Sequence, residues 1–281
     1  MHFGIFSNGF RPHTSAANSY EEDIYEIVLA DKLGFRDAYI SAHHGEPPYI
    51  NRVDNLPAPE LLMCKAAGLT TQIRMGAAVK LLHIEHPLDV AIQAAVTEHL
   101  LGQGRFIFGF GTGFPLPLFC EERGLSFEDR HARLQESLDF ILKCWTSDEV
   151  FDWDGVHWKG KGVVALPKPL SSPHMPMATA TDTEDIIKMS AERGYTLVMA
   201  FLEGADRVRS KADNYVKYAA DAGVAGGAPH LSGTGGLCQF PNQGVFAAAS
   251  ADHQNLHQAL RRRIVNQPRR RESIFPRGAL G

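Results

Sequence analysis

Segments that favour a strand and segments that favour a helix alternate along most of this 281-residue chain, and no other feature limits its fold as much. A strand that returns through a helix must lie parallel to the one before it, which yields a parallel sheet covered by helices. His2 to Ser7 is a short apolar run that stops at the turn pair Asn8-Gly9. Ser19 is placed to cap a helix with Tyr20, Ile24, Ile27 and Val28 on one face and Gly34 as its stop. Asp37 to Ala42 reads as the second strand, Ile73 to Leu82 as the third and Arg105 to Phe110 as the fourth. Pro59 and Pro87 open the helices between them, and Gly102 closes the latter. A long helix starting at Ser126 or Asp129 follows, with Leu134, Leu138, Ile141 and Trp145 at helical spacing. Phe151 to Trp158 reads as an inserted hairpin turning at Asp154-Gly155. Strands at Pro176–Ala180 and Thr196–Phe201 and helices at Thr183–Arg193 and Ala205–Ala222 continue the rhythm. So many units in succession favour an α/β fold of the TIM (β/α)8 barrel type over an open doubly wound sheet.

After Gly223 the rhythm stops. Residues 223–281 are rich in glycine, proline and small polar residues, and carry seven arginines against only Asp252 and Glu272. The chain therefore reads as a barrel domain over 1–222 followed by an atypical segment over 223–281. A net charge of -4 gives no reason to expect nucleic acid or an anionic membrane as partner. Cys64, Cys120, Cys144 and Cys238 are far apart and read as reduced thiols of a cytoplasmic protein. The chain shows neither a membrane-spanning apolar run nor the pattern of a signal peptide.

Several residue groups could carry chemistry, each with a plainer reading beside it. His43-His44 sits where the second strand ends, the end at which ligands bind in α/β proteins, and is either a proton-moving pair or a solvated loop or satisfied structural pair. Gly109-Phe-Gly-Thr-Gly-Phe114 follows the fourth strand and is either a tight turn or a place where backbone approaches a ligand closely. Thr181-Asp182-Thr183-Glu184 opens a helix, either as a phosphate site or as a capping box between Thr181 and Glu184. Arg105, Arg130 and Arg133 could each neutralise a phosphate or form a surface ion pair. Phe151, Trp153 and Trp158 close over a ligand or pack the hairpin. His83, Glu85 and His86 lack the spacing of a metal site, and no metal is expected.

Taken together, the segments FGIFSNGF, YISAHH, IRMGAAV, HPLDVA, LLGQGRFIFGFGTGF, FEDRHARLQESLDFI, FDWDGVHW and PMATATDTEDIIKMSAERG resemble the bacterial luciferase-like flavin monooxygenases. The similarity runs from Met1 to about Ala222. It implies a TIM barrel with a flavin at the carboxyl ends of its strands. His43 and His44 match the two histidines of the family's Glu-His-His motif and are the implied catalytic pair, with Ala42 standing where the motif has glutamate. Ala78-Val79 matches the family's non-proline cis peptide beneath the flavin ring. Asp182 and Thr183 match positions beside the flavin phosphate, with Arg105 as a cation for it and Gly109 and Gly111 close to the cofactor. Family barrels continue with two more βα units that residues 223–281 do not resemble, so an incomplete or irregular barrel end is expected.

The implied activity is oxygenation. Reduced FMN, delivered by a separate reductase, reacts with O2 at its C4a carbon, and the peroxyflavin oxygenates a small apolar substrate of aldehyde or ketone type. Phe10, Phe114, Leu116, Phe119 and the tryptophan-bearing hairpin supply an apolar lining for it. The family also implies a homo- or heterodimer. A second reading keeps the fold and exchanges the cofactor for the deazaflavin F420. A third, motivated by Ala42 and the unmatched tail, is a non-catalytic flavin-binding protein or inactive subunit.

Overall fold

A computed structural model describes residues 2–7, 15–42, 58–113, 116–199, 204–224, 230–233 and 236–239 of this protein. All of them lie in one compact unit spanning residues 1–247. In chain order the first elements are β1 (His2–Ser7), α1 (Ala16–Lys32), β2 (Asp37–Ile40), α2 (Pro59–Ala67), β3 (Arg74–Ala77), β4 (Lys80–Leu81) and α3 (Pro87–Leu101). Next come β5 (Phe106–Gly111), α4 (Leu118–Glu121), α5 (Arg130–Thr146), β6 (Phe151–Asp154) and β7 (Lys159–Val163). The last are β8 (Met177–Ala180), α6 (Glu184–Glu192), β9 (Thr196–Met199), α7 (Ala205–Asp221), β10 (His230–Gly233) and β11 (Gly236–Gln239).

Strand pairing makes a ring. β1, β2, β3, β5, β8, β9 and β10 pair in that order, all parallel, except that β1 and β10 are joined through β11, which is antiparallel to both. Eight staves therefore close a TIM-type barrel, irregular at its C-terminal end. β10 and β11 come from the glycine-rich segment, whose composition shows no strand periodicity. The hairpin β6–β7 stands outside the ring as a separate two-stranded sheet.

Side chains alternate across the staves as the strand period requires. Ala38, Ile40, Met75, Ala77, Phe106, Phe108 and Phe110 pack outward in the main core with α1, α2, α3 and α5. Tyr39, Ile107, Ala178 and Val198 form a separate inner cluster with Phe6, Ala78 and Ala180. No helix among the described residues is long and apolar enough to cross a membrane.

Two local expectations shift. The cap of α1 is Ser15, whose hydroxyl accepts from the Asn18 amide (3.3 Å), while Ser19 is buried inside the helix. The third strand is broken into β3 and β4 at Ala78-Val79, where the peptide bond is cis, the geometry that the resemblance implies.

Candidate functional site

In a parallel barrel the carboxyl ends of the strands and the loops after them form one mouth. His43 and His44, which come after β2 in the sequence, lie outside the described residues, as do Phe10 and Phe114. Ala78 and Val79 follow β3 there, with the Ala78 amide donating to the Ile40 carbonyl (2.8 Å). Gly109 and Gly111 sit within β5 rather than in a loop beyond it. A Cβ on Gly109 would lie 1.7 Å from the Ala77 carbonyl oxygen, so this glycine admits the backbone of β3 where that strand breaks. A Cβ on Gly111 would lie 2.9 Å from Val79 Cγ2 and 3.0 Å from the Ala180 carbonyl oxygen. Ala78, Val79, Gly111 and Ala180 thus make a floor of small residues across the ends of three consecutive staves.

Asp182 and Thr183 follow β8 on the same side. Thr183, not Thr181, is the N-cap of α6, and its side chain makes no bond to the first turn. The Thr181 hydroxyl accepts instead from the Thr183 amide (3.0 Å). The anticipated capping box is not formed, because Glu184 accepts from Asn214 Nδ2 (3.0 Å) and the Tyr218 hydroxyl (2.6 Å). Asp182 is held by Lys211 and by Arg207, the latter at 3.2 Å.

Arg105 is not brought to this end. It precedes β5, whose six residues at about 3.3 Å each put roughly 20 Å between the strand's two ends. Its guanidinium donates to the Ile73 carbonyl (3.2 Å) and the Thr70 hydroxyl (2.7 Å), tying β5 to the turn before β3. The phosphate role expected of Arg105 is corrected accordingly: the residue is a structural tie at the opposite end of the barrel.

Arg130 and Arg133 start α5 on the mouth side, after β5. Arg130 lies over the Phe127 ring (4.0 Å) and donates to the Phe127 carbonyl (3.0 Å). Nearby, His83 is 2 % exposed. Burial pushes its imidazole down to about 4, and Arg130, Arg133, His131 and Arg123 push it the same way. His83 is therefore neutral at physiological pH and ringed by cations. Its Nδ1, the Nε of Arg133 and the hydroxyl of Thr179 on β8 are buried without a hydrogen-bond partner. Thr179 lies between the inward-facing Ala178 and Ala180 and so points to the helix layer, which leaves His83 and Arg133 as the two neighbouring groups with an unmet polar atom.

The hairpin aromatics divide. Phe151 and Trp153 pack on Phe140 (5.9 and 5.1 Å between rings), the plainer of the two readings. Trp158 lies 5.0 Å from the His86 ring and donates to the Ser137 hydroxyl (2.8 Å), with Arg133 5.6 Å above its face. Glu136 holds the turn by accepting from the amides of Val156 (3.0 Å), His157 (2.9 Å) and Trp158 (2.9 Å). Composition and spacing did not single out Glu136, His131, Arg123, Arg207 or Lys211. A polar run at 207, 211, 214 and 218 of α7 was the available signal for the last two.

The family description of luciferase-like monooxygenases matches residues 1–259. This chain belongs to that family. Among luciferase-like relatives, 4-hydroxyprotoasukamycin monooxygenase of Streptomyces nodosus subsp. asukaensis is 34% identical over 160 residues, 55% of this chain and 41% of that protein. The F420-dependent glucose-6-phosphate dehydrogenase of Nocardia farcinica is 29% identical over 57% of this chain and 47% of its own length. The crystal structure of the monooxygenase RslO1 from Streptomyces bottropensis superposes with a TM-score of 0.74 at 26% identity, covering 82% of this chain and 70% of that one. The chain spans about half the length of the curated relatives it matches.

Proposed function

We propose that this luciferase-like chain is the oxygenase of a monooxygenase that uses reduced FMN and O2 to oxygenate a small apolar aldehyde or ketone. The observation that carries the reading is the shape and charge of the mouth. Its floor is small residues, Ala78, Val79, Gly111 and Ala180, over which a flat ring system fits, and any larger side chain at 111 would meet Val79. An α6 N-terminus without a side-chain cap follows β8, and the His83, Arg130 and Arg133 group follows β4 and β5, each a feature suited to a phosphate. The residues present thus fit FMN. When bound, that group supplies the oxygen-activating redox chemistry.

The chain's own residues would then bind, orient and exclude water. Arg133 and the first amides of α6 hold the phosphate, Ala78 and Val79 lie against the ring, and Leu116 and Phe119 contribute an apolar wall. His43 holds or transfers a proton at the reacting centre, with His44 as its support. A separate reductase as partner, a dimeric assembly and a cytoplasmic location belong to the same proposal. The alternative is F420-dependent hydride transfer, as the name of the Nocardia farcinica relative indicates for that protein.

The test mixes the protein anaerobically with photoreduced FMN, admits O2 and follows the flavin spectrum. A long-lived absorbing species that free flavin does not give supports the monooxygenase reading. Reoxidation at the rate of free flavin overturns it in favour of F420 or an inactive subunit, and turnover with F420 and an alcohol separates those two. His43→Ala is expected to lower turnover by about 100-fold or more while sparing FMN binding; unchanged turnover removes His43 from the mechanism.

A further inference from the structure

β4 has two residues, stands last in the sheet order and pairs with β5 alone among the described residues, Lys80 opposite Phe110 and Leu81 opposite Gly111. Register partners in a parallel pair face the same way. Phe110 packs in the helix-facing core, and Leu81 clusters with Val79 and Ala180, so Lys80 points to the helix layer and Leu81 to the other side. Lys80 is only 9 % exposed. Its Nζ lies 2.9 Å from Oε2 of Glu85, which directly precedes the α3 N-cap His86, and 3.8 Å from Oε1 of Glu60 in the first turn of α2. One buried cation thus ties a two-residue strand to the starts of two helices.

As a source of stability this is a poor arrangement. Two carboxylates share one lysine, and Oε1 of Glu85 is buried without a hydrogen-bond partner. Burial pushes the Glu60 carboxyl above its ordinary value, Lys80 and its own amide oppose this, and Glu85 adds to it. Apolar side chains of similar volume would fill such a layer at equal or lower free energy. They would not give direction, because apolar contact is non-directional, whereas an ion pair fixes both a distance and a partner. The strand held in this way carries the floor of the mouth. Val79 directly precedes Lys80, and its Cγ2 stands 2.9 Å from where a Cβ on Gly111 would lie.

We infer that Glu60, Lys80 and Glu85 are positioning residues, which hold Val79 against Gly111 so that the floor presents a fixed surface to a flat ring system. This rests on the ring placement proposed above. The three residues act through the backbone of β4 and need touch neither the ring nor a phosphate.

The test is titration with FMN and with riboflavin, which lacks the phosphate, followed by calorimetry and by the visible spectrum of the bound flavin. In Lys80→Met/Glu60→Gln/Glu85→Gln the three charges leave together, and the denaturant midpoint should stay at or above that of the wild type. Affinity for both flavins should nevertheless fall by the same factor, roughly five-fold or more, with the bound spectrum moving toward that of free flavin. A merely structural role would move the midpoint and not the spectrum. Glu60→Gln alone leaves Lys80 with one carboxylate and should lower both affinities about two-fold or more. It decides the matter if the triple variant does not fold. A folded triple variant that binds both flavins with the wild-type affinity and spectrum overturns the inference, as does a loss confined to FMN. Wild-type protein that binds neither flavin overturns the ring placement itself, before any variant is made.

Discussion

Arg105 and Arg133 are the same residue type on opposite sides of β5 in the sequence, and their surroundings differ. Arg105 donates to the Ile73 carbonyl and the Thr70 hydroxyl, bonds that join two staves at the amino end of the barrel. Arg133 keeps a buried Nε without a partner at the start of α5, beside a histidine held neutral by burial and by neighbouring cations. Arg105→Met is therefore expected to cost about 2 kcal/mol in denaturant unfolding and to leave the FMN-to-riboflavin affinity ratio unchanged. Arg133→Met is expected to weaken FMN by roughly tenfold, spare riboflavin and change unfolding little. The reverse pattern would return Arg105 to the phosphate. The direction of a parallel strand already places its first residue away from the mouth, so this distinction was within reach of the sequence. The unmet Nε of Arg133 was not, because it depends on what α5 packs against.

Among the elements, carboxylates hold segments together across long stretches of chain. Asp31, at the end of α1, accepts from the amides of Thr71 (3.0 Å), Gln72 (2.9 Å) and Ile73 (2.8 Å) ahead of β3. Glu136 does the same for the hairpin from α5. Burial alone would push both carboxyls up, but these donors together hold them below the ordinary carboxylate range. A carboxyl whose folded pKa is depressed stabilises the protein above its unfolded pKa of about 4, and that contribution is lost as pH falls through the folded value. Asp31→Asn should thus cost about 1–3 kcal/mol at pH 7, with the gap to wild type narrowing below about pH 4. A gap independent of pH would mean that the negative charge is not what the amides require. Sequence periodicity located α1, α5 and the hairpin. It left Ser19 as a cap where Ser15 serves, because a cap depends on where the preceding backbone turns.

At the scale of the whole molecule, β11 closes the barrel. It pairs antiparallel with β10 on one side and with β1 on the other, with Phe3 opposite Cys238 and Gly4 opposite Leu237. Every amide of a strand paired on both sides points to a neighbour, so proline has no place in it. Cys238→Pro is expected to lower unfolding free energy by about 3 kcal/mol or more and to promote aggregation through the exposed edges of β1 and β10. Unfolding and light scattering unchanged from wild type would show that the barrel does not depend on this stave. The sequence by itself determined the α/β class, the order of the βα units, the inserted hairpin and the small residues at 78, 109 and 111. These follow from hydrophobic period, turn residues and side-chain size, which are properties of neighbouring positions. Only the tertiary structure decided which strand closes the ring, what Arg105 bonds to and where Asp182 and Glu184 turn. Those choices rest on contacts between residues far apart in the chain, such as Lys211 with Asp182 and Tyr218 with Glu184, and no local pattern records which partner wins.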